Sequence, residues 1–388
     1  MLTRRSFLTA TGILALGSLL SSCADSAADL RVLLLTGSIP PQLLKAFRQQ
    51  ISSGASLDFK PQGQLKEVFS LLETWQGQNE EKKGLLTNLP KIPLINPRPP
   101  SVSDFVSLGD AWLKEAIQKE LIEPVDMTQI PNWERLPSRW QKLVRRDGKG
   151  NLQENGLIWA APYRWGTTLI AYRSDKLDWQ PQDWSDLWDE RLSDRIAIID
   201  QPREVIGLSL KKLGKSYNTK NIAGVAQLKT ELINLNKRVK YYSSEHYLQP
   251  LLTGDVWVSV GWSNEIIPLT SRNRNIKAVV PTSGTSLWSD VWVKPKGKEE
   301  QTNELSETAK KWLNFCWEPQ AAKFISLFAD AASPMINTLE KKELPANVND
   351  NPLLSIDSAI FDKCEFLEPF SKQVQEQYMD LWTEVRKT

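Results

Sequence analysis

Covalent catalysis and metal binding need nucleophiles, bases or ligands at workable spacing, and this chain offers few. It has one histidine, His246, and three cysteines, Cys23, Cys316 and Cys364. A single imidazole excludes histidine-rich metal centres and argues against Ser-His-Asp or Cys-His catalysis. The sequence contains no Gly-x-Ser-x-Gly elbow, no Walker loop, no Gly-x-Gly-x-x-Gly after a strand and no cysteine zinc pair. The expectation is a protein that is not an enzyme and uses no metal and no cofactor. Tryptophan is the unusual count, at 16 against 7 tyrosines. Its chemistry is non-covalent: the indole face covers apolar surface and attracts cations.

The elements that must position such residues alternate along the chain. Val32 to Leu35, Phe105 to Leu108, Leu157 to Pro162, Thr168 to Tyr172, Ile196 to Ile199, Val256 to Val260, Ile276 to Val280 and Val291 to Val293 are apolar runs of strand length. Helical patterns lie at Pro40 to Phe47, Ala111 to Leu121, Glu204 to Leu213, Asn221 to Leu235, Ala309 to Phe328 and Pro369 to Val385. Strands alternating with helices predict an α/β protein with largely parallel sheets. The proline-rich stretch from Leu89 to Pro100 and the Lys/Glu-rich stretch from Lys294 to Gln301 read as loops. Trp262 ends an apolar strand and opens a polar segment, the strand end where open α/β sheets bind ligands. Gln201-Pro202-Arg203-Glu204 also reads as an N-cap, a first-turn proline and a capping-box glutamate. Trp184 and Trp188, one helical turn apart, read as a core stripe. A disulfide between Cys316 and Cys364 and a pair of buried thiols are both open readings.

The chain has 388 residues, 41% hydrophobic and 24% charged, enough for two domains with real cores. Lys plus Arg is 48 and Asp plus Glu is 46; setting aside Arg4 and Arg5 leaves 46 of each. That balance gives no electrostatic case for nucleic acid. The first 23 residues read as an export signal. Arg4 and Arg5 precede an apolar stretch, Phe7 to Leu20, that is short for a bilayer span. Thr3-Arg4-Arg5-Ser6-Phe7-Leu8 resembles a twin-arginine signal, although Thr9 stands where a lysine is usual. Leu20-Ser21-Ser22-Cys23 resembles a lipoprotein box, with Cys23 as the acylated residue and 24–30 as a tether.

One family resemblance runs through the rest. Ala161-Pro162-Tyr163-Arg164-Trp165-Gly166-Thr167-Thr168, Trp184-Ser185-Asp186-Leu187-Trp188-Asp189, Asp200-Gln201-Pro202-Arg203-Glu204-Val205-Ile206-Gly207, Val260-Gly261-Trp262-Ser263 and Gly284-Thr285-Ser286-Leu287-Trp288-Ser289-Asp290 follow in order. This series resembles the extracellular solute-binding proteins of ABC importers, in their spermidine/putrescine-binding branch.

The resemblance implies an α/β, two-lobed periplasmic-binding-protein fold of type II-like topology, with a ligand cleft between lobes. Residues 31–166 with 289–338 would form lobe 1, and 167–288 with 339–388 lobe 2. The chain would cross between lobes near Gly166 and Trp288. The implied function is to bind a polyamine or similar small organic cation by hinge closure and to deliver it to an ABC permease. The protein would be a periplasmic, lipid-anchored monomer. The matching ligand-binding positions are Trp262, Trp288, Asp290, Glu204 and Trp165, with Asp110 as a further carboxylate from lobe 1. The chain departs from the branch at Leu35, Gly37 and Ser38, where an aromatic and an acid are usual. It departs again at Gln201, where Asp is common, and at Ala331, where a tyrosine is common. An anionic or uncharged solute on the same fold, and an exported assembly protein that has lost solute binding, are the alternatives.

Overall fold

The structure is a computed structural model that describes residues 28–51, 54–77, 101–297 and 304–388. The export segment, Cys23, most of the tether and the whole proline-rich stretch from Leu89 to Pro100 lie outside the described residues. The strands are β1 (Leu30–Leu35), β2 (Leu57–Gln62), β3 (Phe105–Gly109), β4 (Ile122–Glu123), β5 (Arg145–Arg146), β6 (Leu157–Ile158), β7 (Ala161–Arg173), β8 (Ile196–Ile198), β9 (Val239–Tyr242), β10 (Val258–Trp262), β11 (Ile276–Val279), β12 (Ser286–Pro295) and β13 (Glu365–Phe366). The main sheet runs β2-β1-β3-β12-β7-β10-β8-β9, and β11 also pairs with β7.

Both flanks of this sheet are parallel, but its centre is not. β12 runs antiparallel to β3 and β7, and β7 antiparallel to β10 and β11. The sequence expectation of largely parallel pairing is corrected there, because a short apolar run carries no mark of its partner's direction. β7 is the longest strand, and only its last residue, Arg173, escapes full burial. Its first half, from Ala161 to Thr167, pairs with β12. From Thr168 onward its partners are β10 and β11. One continuous strand therefore belongs to two sets of neighbours, and the exchange falls at Gly166–Thr168.

The helices pack in layers on the sheet and supply its aromatic core. Tyr163 of β7 stacks on Trp292 of β12 with ring centroids 4.1 Å apart. Trp292 meets Trp312 at 5.7 Å, and Trp312 meets Phe47 edge-on at 5.0 Å. Phe47 sits on the helix Pro41–Gln50, whose first-turn proline has no N–H of its own to leave unpaired. The expected single helix from Ala309 to Phe328 is two, Glu307–Cys316 and Pro319–Phe328. Pro319 lacks the N–H a continuous helix needs and instead starts the second one. The expected helix from Ala111 is a short turn, Asp110–Trp112, followed by Leu113–Gln118; Glu120 at φ 53° ends it. The Asn221–Leu235 pattern forms a turn at Ile222–Gly224 and a helix only from Leu228 to Asn236.

Gly166 permits the closest approach at the strand exchange. A Cβ there would lie 2.2 Å from Ser263 Oγ and 2.3 Å from Trp288 Cζ2. Neither can yield freely. Ser263 Oγ accepts the Thr167 N–H at 3.1 Å, and the indole is rigid. Gly166→Ala is expected to cost about 1–3 kcal/mol through overpacking. Urea unfolding at constant slope measures it; an unchanged midpoint would show that the crossing has slack.

Candidate functional site

Directly opposed residues of antiparallel strands share a face, and so do alternate residues along each strand. That rule assembles the site. Trp262 of β10 opposes Thr168 of β7. Two residues back along β7, Gly166 opposes Trp288 of β12; two further, Arg164 opposes Asp290. Ser286 belongs to the same face, with its Oγ 2.9 Å from Thr168 Oγ1 and 2.6 Å from Glu204 Oε2. Trp262, Glu204, Trp288 and Asp290 thus fall on one face of the crossing strands. Ser286 and Asp290 are four residues apart, about 13 Å along the strand.

Glu204 sits in the first turn of the helix Pro202–Lys212. The capping box suggested by sequence does not form, since no side chain caps this helix and the Glu204 carboxylate turns to Ser286. Burial raises the Glu204 pKa, against the opposing pull of the Ser286 and Thr168 hydroxyls and of Arg203. Glu204 makes no ion pair among the described residues. Arg203 spends its guanidinium elsewhere. It donates to the Glu368 carbonyl and Asn218 Oδ1, both at 3.0 Å, and lies 3.5 Å over the Phe370 ring.

The other two carboxylates are already served. Arg164 Nε donates to Asp290 Oδ2 at 2.5 Å. Burial works against the Arg164 cation, but Asp290 and Tyr163 together outweigh it, and the guanidinium pKa is raised. Asp110 follows β3, and its Oδ1 accepts the Ser289 N–H at 3.0 Å. Arg146 lies beside it, fully buried, and donates to the Asp110 carbonyl at 3.3 Å. Burial pushes the Asp110 carboxyl up from 3.8 to about 6, against the Ser289 hydrogen bond and the Arg146 charge.

The sign of the pH effect follows. The folded form holds the Asp110 proton up to pH about 6, the unfolded form only to about 4. This contribution to stability is complete below pH 4 and is lost as pH rises through 6. Asp110→Asn is expected to flatten that slope and to gain on the order of 2–3 kcal/mol at pH 8. Denaturant unfolding from pH 4 to 8 tests it; a slope retained in the variant would place its origin in another group, with Glu204 first.

Trp262 and Trp288 are both half-buried. Tyr247 packs edge-on to Trp262 at 6.3 Å and accepts the Trp262 N–H at 3.2 Å. Its hydroxyl donates in turn to Glu265 at 2.6 Å. Trp288 Nε1 is buried without a hydrogen-bond partner among the described residues, and Arg164 Cζ stands 5.8 Å from the Trp288 ring centre.

Trp165 does not join this group. It alternates to the opposite face, packs on Trp140 at 5.4 Å and Phe361 at 5.1 Å, and donates to the Ser333 carbonyl at 3.0 Å. It belongs to the core, as adjacency to a glycine at the crossing could not reveal. Trp184, fully buried, and Trp188, half-buried, donate to the Gly284 and Glu231 carbonyls, so both pack as the helical spacing suggested. Cys316 and Cys364 are free and buried, which closes the disulfide reading. Arg164 is the residue that sequence reasoning passed over. The available signal was a charge inside a strand whose one other charge is its last residue, Arg173; an interior charge demands a buried partner.

No group of three His, Cys, Asp or Glu side chains gathers as a metal site among the described residues, and no helix there is long and apolar enough to cross a membrane. A mixed sheet crossed by long shared strands, with acids and indoles on one face, is the framework of a binding protein. Residues 102–364 match the family of bacterial extracellular solute-binding proteins, and the chain belongs to that family. Its fold is the two-lobed, type II-like fold of periplasmic binding proteins.

The relatives lie in the polyamine branch of ABC solute-binding proteins. The chain is 25% identical over 310 residues to the putrescine-binding periplasmic protein PotF of Escherichia coli, covering 73% of this chain and 78% of PotF. It is 22% identical over 360 residues to the spermidine/putrescine-binding periplasmic protein of Salmonella typhimurium, covering 92% of each. Among solved structures, the substrate-binding protein PotD of a Streptococcus pneumoniae spermidine/putrescine ABC transporter superposes with a TM-score of 0.74 at 21% identity. That match covers 92% of this chain and 98% of PotD. The TpPotD lipoprotein of Treponema pallidum gives 0.65 at 19% identity, covering 92% and 99%.

Proposed function

We propose that this solute-binding protein captures a polyamine or similar small organic cation on the face that carries Glu204, Trp262 and Trp288, performs no chemistry on it, and hands it to an ABC permease. The observation that supports this reading is Glu204: a buried carboxylate with no ion pair among the described residues, bonded to Ser286 on the strand face that carries two half-buried indoles. A buried carboxylate is costly unless a cation compensates it. An ammonium group would supply that charge, and its methylenes would cover the indole faces. A micromolar ligand needs about −8 kcal/mol, within reach of charge-assisted contacts and two aromatic walls in a water-excluding cleft.

Capture would proceed by hinge closure. Lobe 1 would comprise 31–166 with 289–338, and lobe 2 167–288 with 339–388. The partner exchange of β7 at Gly166–Thr168, opposite Trp288, supports crossings at those points. A few residues there would absorb the backbone change while the lobes stay rigid. Export across the inner membrane, acylation of Cys23 and a monomeric state complete the proposal. Relatives are named as periplasmic proteins, and one structural neighbour as a lipoprotein.

Thermal melting with putrescine, spermidine and simple amines tests the binding. A ligand at 100 times its Kd adds about 2.7 kcal/mol, a shift of several degrees. No shift with any amine at millimolar concentration would defeat the proposal.

A further inference from the structure

The three carboxylates of the site are not equivalent. Asp110 has Arg146 beside it, and Asp290 is bound by Arg164 with side-chain exposures of only 6% and 8%. The Arg164 guanidinium is fixed from a second direction as well, since Nη1 donates to the Ala329 carbonyl at 3.3 Å. It also takes a cation's place near the Trp288 face. Neither Asp110 nor Glu204 makes an ion pair among the described residues, but the buried Arg146 charge acts on Asp110, whereas the guanidinium of Arg203 is turned away from Glu204 to Glu368, Asn218 and Phe370.

The geometry points to Arg164 as a resident cation that occupies the Asp290 end of the aromatic face, so that the protein selects solutes with a single cationic end, held at Glu204. This inference rests on the amine-binding reading above and narrows it. A second ammonium on a short chain anchored at Glu204 would run along the face toward Trp288 and meet the guanidinium already there. To reach Asp290 it would have to break a buried ion pair, and such pairs resist loss of one partner strongly. The raised pKa of Arg164 keeps that cation charged throughout the physiological range. A solute whose far end is neutral meets no such repulsion.

Calorimetry with two molecules of equal chain length tests the inference: putrescine, with two ammonium groups, and 4-amino-1-butanol, with one. The unaltered protein is expected to bind the amino alcohol as tightly as putrescine or tighter. Arg164→Ala frees Asp290 for a second ammonium and is expected to shift the affinity ratio at least tenfold toward putrescine. Putrescine binding more than threefold tighter than the amino alcohol in the unaltered protein would overturn the inference while leaving the amine reading intact. So would an unchanged ratio in Arg164→Ala. Binding of neither molecule would remove the amine reading itself, and this inference with it. Should Arg164→Ala fail to fold, the ratio in the unaltered protein decides.

Discussion

Glu204→Gln is expected to weaken amine binding about 30-fold and to leave the protein at least as stable as before. The substitution keeps the side chain's size and an oxygen for Ser286, which lies 2.6 Å from the carboxylate. It removes the charge. A hydrogen bond to a charged group contributes about 1.5–3 kcal/mol, and each 1.4 kcal/mol is a factor of ten in affinity. Stability moves the other way because burial raises the Glu204 pKa, so the ionised form costs the folded state free energy at neutral pH. Calorimetry and melting on one preparation measure both effects. An affinity unchanged within threefold would show that Glu204 faces no ligand. A melting temperature several degrees lower would show that its charge serves the fold.

Asp290→Ala is expected to do the reverse. It leaves the Arg164 cation buried without its partner, which costs about 3–5 kcal/mol. In a chain this long each kcal/mol moves the melting temperature by about 2–4 °C, so a fall near 10 °C is expected. Replacing both charges, as Arg164→Leu with Asp290→Leu, should recover much of that loss, because well-packed apolar side chains often match a buried ion pair. A single variant no less stable than the parent would mean that water reaches Arg164. On the proposed reading the two acids at this face divide the work: Asp290 sustains the fold, and Glu204, on its helix, is left for a guest.

Sequence patterning located the central strands, which are short apolar runs bounded by polar turns, but missed the edge strands β2 (Leu57–Gln62) and β9 (Val239–Tyr242), where charged and polar residues interrupt the run. Leu30–Leu35, Phe105–Gly109 and Ile196–Ile198 lie where the runs of branched and aromatic residues stand. Pairing direction was not legible, since β7 and β12 are as apolar as the parallel strands beside them. Trp262, Trp288, Glu204 and Asp290 could be named from the family's motif order, and Asp110 from a departure, where Leu108-Gly109-Asp110 replaces a Ser/Thr and tyrosine segment. The motifs could not say which carboxylates were already paired. Asp290 and Arg164 lie 126 positions apart in the chain, and only the strand register makes them neighbours. The same register sends Trp165 to the core face while its neighbours Arg164 and Gly166 face the indoles.

A crystal structure of the protein grown with 4-amino-1-butanol tests the central claim most directly. The account expects density on the β7–β12 face, with the ammonium nitrogen about 3 Å from a Glu204 oxygen. The carbons should lie against Trp288 and Trp262, and the Arg164–Asp290 pair should be intact. A ligand bound away from Glu204, or an ammonium seated on Asp290 with Arg164 displaced, would contradict it.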